Sequence, residues 1–271
     1  HLSESLFYFV GRWLGDGWLN VFKRSGRVAS YMKRVFICDS FDKEDELRAR
    51  LEATGLHFGS RHERTAVRFC CSSMSLYDWL DSNFGQGAGD KHLPSWVFGM
   101  PVEWRSALFR GYVDSDGNSL GNGVKTVSVS VQLTIGMKIL AAGLGIASGV
   151  VRTVPKRAEC VIEGRHVNER PSYQQMYYDK SRSAVVTPDG YWGLVRGVSR
   201  GRTGVRVYNL EVEDDNSYVA GGIAVHNCQS FSIAGSRTGL AGASGLMLEY
   251  GREATAPSPT RLVWELALLA P

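Results

Sequence analysis

Two aspartates, Asp16 and Asp116, stand 100 residues apart and close the same kind of segment. In and before "FVGRWLGDGW", apolar residues at Leu6, Val10, Trp13 and Leu14 repeat at helical spacing. Gly11 and Gly15 lie four apart on one face, and the pattern stops at Asp16-Gly17. "LFRGYVDSDG" repeats the device and stops at Asp116-Gly117. A carboxylate there faces the negative end of the helix dipole, which costs a few tenths to ~1 kcal/mol. If the two helices pack side by side, with Gly11, Gly15, Gly111 and Ser115 permitting close approach, both carboxylates meet at one end. Two such charges ~4 Å apart repel by ~4 kcal/mol at an effective dielectric near 20. A divalent cation reverses the sign of every one of these terms, so the acids are expected to sit where only a metal makes them favourable. Few, hard oxygen ligands suit Mg²⁺ or another divalent cation. Gly15 and Ser115, directly before the aspartates, join them as metal-site candidates. Such a centre, flanked by basic strands, suits phosphodiester hydrolysis: metal ions activate water and stabilise the leaving oxygen. "DSDGNSLGN" is not a calcium loop, because Gly117 stands fourth rather than sixth and no glutamate stands twelfth.

The surrounding elements repeat as well. After Gly17 the sequence is strand-like to about residue 37, turning at Ser25-Gly26. A helix follows at 43–54, strand sequence at 57–71 and a helix at 75–84. Pro101 is placed to open the second Asp-terminated helix. In the second unit "VKTVSVSVQLT" alternates, with Val127, Val129, Val131 and Leu133 on one face, which predicts a strand. A helix is expected at 137–144, and strand pieces from 150 to about 186. The fold class is α+β: two similar αββαββ(α) halves, with a final helix in the second, then a short all-β segment with Gly221-Gly222 as a turn.

Basic residues gather on the strand segments: Lys23, Arg24, Arg27, Lys33 and Arg34, then Arg61, Arg64 and Arg68, then Arg152, Lys156 and Arg157. Their recurrence suggests a surface for a polyanion. The 271 residues carry a net charge of +4, with 44% hydrophobic and 21% charged residues, an ordinary globular composition. No apolar run reaches a membrane-spanning length. Five cysteines, odd in number and without ligand spacing, argue against a disulfide scaffold or zinc site and fit a reducing, cytoplasmic setting; four are expected to be buried. The chain begins with His rather than Met and is read as a segment of something longer.

With those residues in view, the sequence resembles the LAGLIDADG homing endonucleases in their single-chain form with two pseudo-symmetric halves. "FVGRWLGDG" and "FRGYVDSDG" match the two nine-residue motifs, with Asp16 and Asp116 at the metal-binding positions. The resemblance implies site-specific cleavage of both strands of double-stranded DNA, by a monomer, through DNA-facing β-sheets. It covers residues 1–185, with halves at about 1–98 and 99–185. In "KHLP" it places Lys91 as the group that polarises the reacting phosphate or water, with Lys180 as a candidate counterpart. Leu14 replaces an acid of the first motif, while Asp114 keeps it in the second; this position is read as helix packing. A DNA-binding module that has lost cleavage is the alternative reading.

Residues 186–227 resemble the C-terminal end of an intein splicing domain. The resemblance rests on "VYNLEVEDDNSYVAGGIAVHNC", which ends in His226, Asn227 and Cys228. Asn227 would cyclise and cut the chain, His226 would polarise that peptide bond, and Cys228 would accept the upstream segment as a thioester. Asn209 and Asn216 stand where the family has an aspartate and often a histidine. The N-terminal splicing half is absent from this sequence, so splicing is not expected from it alone. "CQSFSIAGSRTGL" then resembles the catalytic loop of DNA cytosine-5 methyltransferases, which makes residues 228–271 a C-extein fragment and the uninterrupted methyltransferase gene the expected target. A self-processing fragment is the third reading.

Overall fold

The structure is a computed structural model and describes residues 2–24, 30–155, 159–162, 165–168, 170–178, 184–187, 190–193, 217–220 and 223–226. The chain divides into two compact units, residues 1–193 and 194–271. In the first unit, α1 (Glu4–Asp16) leads into the hairpin β1 (Trp18–Arg24) and β2 (Ser30–Asp39). Helix α2 (Glu44–Glu52), strands β3 (Gly59–His62) and β4 (Val67–Cys71), and helix α3 (Met74–Phe84) follow. The pattern restarts with α4 (Val102–Asp116), β5 (Asn118–Leu120), β6 (Gly123–Ser128), α5 (Val131–Gly143) and β7 (Ala147–Thr153). A hairpin, β8 (Glu159–Ile162) and β9 (Arg165–Asn168), precedes β10 (Ser172–Tyr178). The pair β11 (Ala184–Thr187) and β12 (Gly190–Gly193) ends the unit. The fold is α+β with antiparallel sheets, ordered β1-β2-β4-β3 and β5-β6-β10-β7, the same arrangement twice. In the second unit, β13 (Ser217–Ala220) pairs with β14 (Ile223–His226).

Helix α1 is apolar nearly all round, with Leu6 to Leu14 all buried, because α4 covers one side and the first sheet the other. Its N-terminus is capped by the Ser3 side chain, which accepts from the Leu6 amide at 3.2 Å. The α1–α4 contact is made backbone to backbone. A Cβ at Gly11 would collide with the Leu108 carbonyl oxygen and lie 2.7 Å from the Tyr112 nitrogen. A Cβ at Gly111 would collide with the Tyr8 carbonyl oxygen and lie 3.0 Å from the Arg12 nitrogen. The two glycines are equivalent positions of the two motifs, so the crossing is close to symmetric.

The second half of the first unit corrects two expectations. The alternation at 124–134 is not one strand: β6 stops at Ser128, and Val131 and Leu133 belong to α5. The Ser130 hydroxyl accepts from the Leu133 amide at 3.1 Å and starts the helix six residues earlier than expected. Its buried side then runs Leu133, Met137, Leu140 and Ala141, so a 3.6-residue period overrides a short alternating one. No helix follows β10 among the described residues; the β11–β12 pair stands there, and the 185/186 boundary falls inside β11. Of the described cysteines, Cys71 is buried, whereas Cys38 and Cys70 are only half-buried. No helix among the described residues is long and apolar enough to cross a membrane.

Replacing Gly11 or Gly111 by alanine is expected to lower the unfolding free energy by about 3 kcal/mol, because backbone has no rotamer with which to yield. The helix-propensity gain of about 1 kcal/mol does not offset it. Chemical denaturation checks this, with Gly59→Ala, which meets nothing within 4 Å, as the control.

Candidate active site

The helix crossing brings the two Asp-Gly tips together. Gly15 is closed in by Ser115, and a Cβ there would lie 3.3 Å from the Asp116 carboxyl carbon. The Ser115 hydroxyl lies 2.8 Å from the Asp16 carboxylate and 3.1 Å from the Arg12 carbonyl, and it accepts from the Asp16 amide at 3.0 Å. Ser115 thus braces the opposite tip with its side chain. Burial, with the Asp16 charge next, raises the Asp116 carboxyl to about 6, while Lys91 and Arg12 pull it down.

Lys91 is 4% exposed. Its ammonium donates to the carbonyls of Trp13 at 2.8 Å, Leu14 at 2.9 Å and Gly17 at 2.8 Å, with Gly15 at 3.5 Å, and sits 4.7 Å from the Trp13 ring centre. It is the C-terminal cap of α1, whose own last turn carries no base. Burial lowers its pKa to about 8, against the upward pull of Asp116 and Asp16. Its main-chain oxygen accepts from the Ser130 hydroxyl at 2.6 Å, which ties the same residue to the start of α5. Lys91, expected to polarise the reacting phosphate or water, here donates to the helix carbonyls beside the Asp16 tip.

Arg12 was not among the sequence candidates. It is 3% exposed, pairs with the Asp39 carboxylate and donates to the Asp114 carbonyl. The Tyr8 hydroxyl donates to the Asp114 carboxylate at 2.8 Å. Asp114 is therefore a tether between α1 and α4, while Leu14 at the matching position is core. The signal was present in the sequence: Tyr8, Gly11, Arg12 and Gly15 form one helical stripe. Asp116 therefore faces two buried cations, Lys91 and Arg12, yet its carboxyl stays raised, so the acids are only partly compensated by the protein itself. Among the described residues no group of three or more His, Cys, Asp or Glu could hold a metal. Two carboxylates and the main-chain oxygens beside them fit an ion that keeps several waters and accepts phosphate oxygens, which is the habit of Mg²⁺.

The strands leave this centre directly, β1 two residues after Asp16 and β5 two after Asp116. Helices cover the sheet face bearing Val35, Ile37, Val67 and Phe69, all buried. Strand register puts Trp18, Asn20, Phe22, Arg34, Phe36, Arg61 and Arg68 on the opposite face. The predicted basic set splits accordingly. Arg34, Arg61 and Arg68 lie on the open face, and Arg64 is exposed between β3 and β4. Lys23 and Lys33 have the register of the helix side, and Lys33 pairs with Asp78. Arg152 shares the register of Val150, on the helix side of the second sheet, beyond its buried part. That sheet's open face presents Lys125, Val127, Gln174 and Val151, which charge counting overlooked. Arg27, Lys156, Arg157, Lys180, Asn227 and Cys228 lie outside the described residues, and only the backbone of Arg24 and His226 is described.

No family model matches the chain. It is 28% identical over 205 residues to the ATP-dependent DNA helicase Hel308 of Thermococcus kodakarensis, covering 65% of this chain and 17% of that protein. It is 29% identical over 206 residues to the iron-sulfur cluster assembly SufBD family protein Rv1461 of Mycobacterium tuberculosis, covering 71% and 24%. It is 25% identical over 261 residues to a DNA polymerase of Thermococcus hydrothermalis, covering 85% and 15%. The chain thus spans a quarter or less of the length of these curated relatives. Solved structures that resemble it include mesophilic variants of the homing endonuclease I-DmoI, at 13% identity and a TM-score of 0.46 over 65% of this chain and 89% of that one. The LAGLIDADG meganuclease I-AabMI bound to uncleaved DNA gives 10% identity and a TM-score of 0.36 over 65% and 79%.

Two outcomes are expected of the metal-free protein. The Asp116 carboxyl has a folded-state pKa above its unfolded value, so its stabilising contribution is complete below pH 4 and is lost as pH rises through about 6. Wild type should therefore lose on the order of 2 kcal/mol relative to Asp116→Asn between pH 4 and pH 7.5, read by thermal unfolding at both pH values. Lys91→Met should cost about 3 kcal/mol, because it strips a buried charged donor from several carbonyls at once, and should speed amide exchange at the end of α1. Lys91→Arg, which can still donate to carbonyls, should cost less.

Proposed function

We propose that the chain is a LAGLIDADG homing endonuclease that makes a site-specific double-strand break in DNA by Mg²⁺-dependent hydrolysis. The observation that carries this reading is the convergence of Asp16 and Asp116 at the tips of two helices that touch backbone to backbone. Each tip releases a sheet whose open face is available to a duplex. Asp16 and Asp116 would hold the metal ions, with the main-chain oxygens of Gly15 and Ser115 beside them. Bound ions would supply an activated water and stabilise the leaving oxygen. The chain's own residues do the positioning: Ser115 fixes the Asp16 carboxylate, Lys91 fixes the end of α1, and Arg12 and Asp114 lock the two helices in register. Arg61, Arg64 and Arg68 supply cationic contact for phosphates.

The same reading places the nuclease inside an intein. Its support is the sequence ending in His226, Asn227 and Cys228, the hairpin β13–β14 that leads to it, and the nature of the relatives. A helicase, an iron-sulfur assembly protein and a DNA polymerase share no common task in name. Each matches this chain over a quarter or less of its own length, as expected of one inserted element carried by different hosts. The methyltransferase-like residues after Cys228 nominate the uninterrupted methyltransferase gene as the target.

A supercoiled plasmid carrying that uninterrupted sequence is expected to be linearised by the purified chain with Mg²⁺ and left intact with EDTA. Asp16→Asn or Asp116→Asn should lower the rate by more than about a hundredfold, beyond what loss of an outer-shell partner costs. Affinity for the duplex, read by gel shift, should stay within a few-fold. Binding without any cut by wild type would favour a DNA-binding module that has lost its chemistry.

A further inference from the structure

The open face of the first sheet is built around stacked rings. Phe36 lies against Trp18, centroids 5.1 Å apart and nearly parallel, and meets Phe22 edge-on at 6.1 Å. Two guanidinium groups are laid on these rings: Arg68 over Phe36 and Arg34 over Phe22, each 5.4 Å from the ring centre. The two arginines differ in what else they touch. Arg68 forms an ion pair with Glu63. Arg34 has no carboxylate partner among the described residues; its Nε donates to the Met32 sulfur at 3.0 Å, and among the described residues both terminal nitrogens of the fork remain unspent. A planar donor fork, braced on one face by a ring and pinned at Nε, has lost much of its rotamer freedom before binding. A flexible cation suits phosphates; an oriented fork with two free nitrogens suits two acceptors in a plane, which guanine O6 and N7 provide in the major groove.

We infer that Arg34 is a specificity-determining residue that reads a guanine in the target duplex; the assignment rests on the DNA-binding reading above. Its place in the register fixes which base pair is read. Arg34 pairs with Asn20, four residues beyond Asp16 along β1. At about 3.3 Å per strand residue, that sets it roughly 13 Å from the metal-binding tip. With about 3.4 Å per base pair along the groove, the guanine lies about three to five base pairs from the scissile phosphates on the side bound by the first sheet.

The test is selection of bound duplexes from a randomised pool, with the full chain and Ca²⁺, by wild type, Arg34→Gln, Arg34→Lys and Phe22→Leu. Wild type should recover a guanine at that position. Arg34→Gln should lose the preference there by about ten- to a hundredfold and keep preferences elsewhere. Arg34→Lys keeps the charge without the fork, so it should retain affinity within a few-fold while relaxing the same position. Phe22→Leu, which removes the ring under the guanidinium while keeping an apolar side chain, should weaken that preference in part. A uniform loss of affinity in Arg34→Gln, with every base preference kept and the salt slope reduced by about one, would make Arg34 a phosphate contact and overturn the assignment. Unchanged selection by both Arg34 variants would overturn it too. Enrichment of no duplex by wild type would overturn it together with the reading on which it rests, and so separates the two failures.

Discussion

The molecule is organised around one steric fact: α1 and α4 approach until main chain meets main chain. That approach needs a missing side chain on each helix at the crossing, Gly11 on one and Gly111 on the other, each facing a carbonyl oxygen of its neighbour. Once the crossing is set, the geometry of everything beyond it follows. The tips one turn further on converge, so Asp16 and Asp116 share a space that neither helix would offer alone. The chains leaving those tips diverge into two sheets with the same strand order. A larger residue at either crossing position would separate the acids and splay the sheets together.

Convergence of two carboxylates at two negative helix ends is electrostatically unfavourable, and the protein answers it before any ion does. Lys91, buried, spends its protons on the last carbonyls of α1 and so counters the dipole where Asp16 sits. Arg12 lies within the helix interface, neutralised on one side by Asp39, and still pulls the Asp116 carboxyl down. The balance is incomplete, since Asp116 stays well above an ordinary carboxylate. That residual imbalance is what a divalent cation would relieve, so the acid pair is held ready without being neutralised. Full compensation by fixed cations would have stabilised the fold and left no residual charge for an ion to relieve.

Much of this was legible in residue types. A glycine five residues before an Asp-Gly stop, Gly11 in one motif and Gly111 in the other, 100 residues apart, carried the crossing, the duplication and the acid pair. What escaped has specific causes. Ser130 reads equally as a polar strand position or as a helix cap, and only the apolar period beyond it decides, which moved the start of α5 to Val131. The hold of Lys91 on α1 was not legible, because its partners are main-chain carbonyls 74 to 78 residues upstream, and carbonyls leave no trace in residue identity. The faces of the basic residues were not legible from charge alone: grouping by charge ignores the two-residue period of a strand, and Lys33 and Arg34, grouped together, point to opposite faces.

That period also explains why the two sheets are not equivalent despite their common topology. In the first, the long β1–β2 ribbon pairs seven residues of each strand and carries rings that hold arginines in place. In the second, β5 pairs only three residues with β6, and the open face offers Lys125, Val127, Gln174 and Val151. A duplex lying across both would meet oriented cations on one side and a shorter, mostly aliphatic and amide surface on the other. Methyl groups and amides recognise thymine methyls and adenine edges, and they release few counterions, whereas arginine forks recognise guanine and neutralise charge. Under the proposed nuclease reading, duplication of the acid-bearing helix would preserve the symmetric centre that cutting two strands requires, while divergence of the strands that follow would let the two halves of a target differ in sequence. Symmetry is kept where two backbones must touch and abandoned where side chains alone decide the contact.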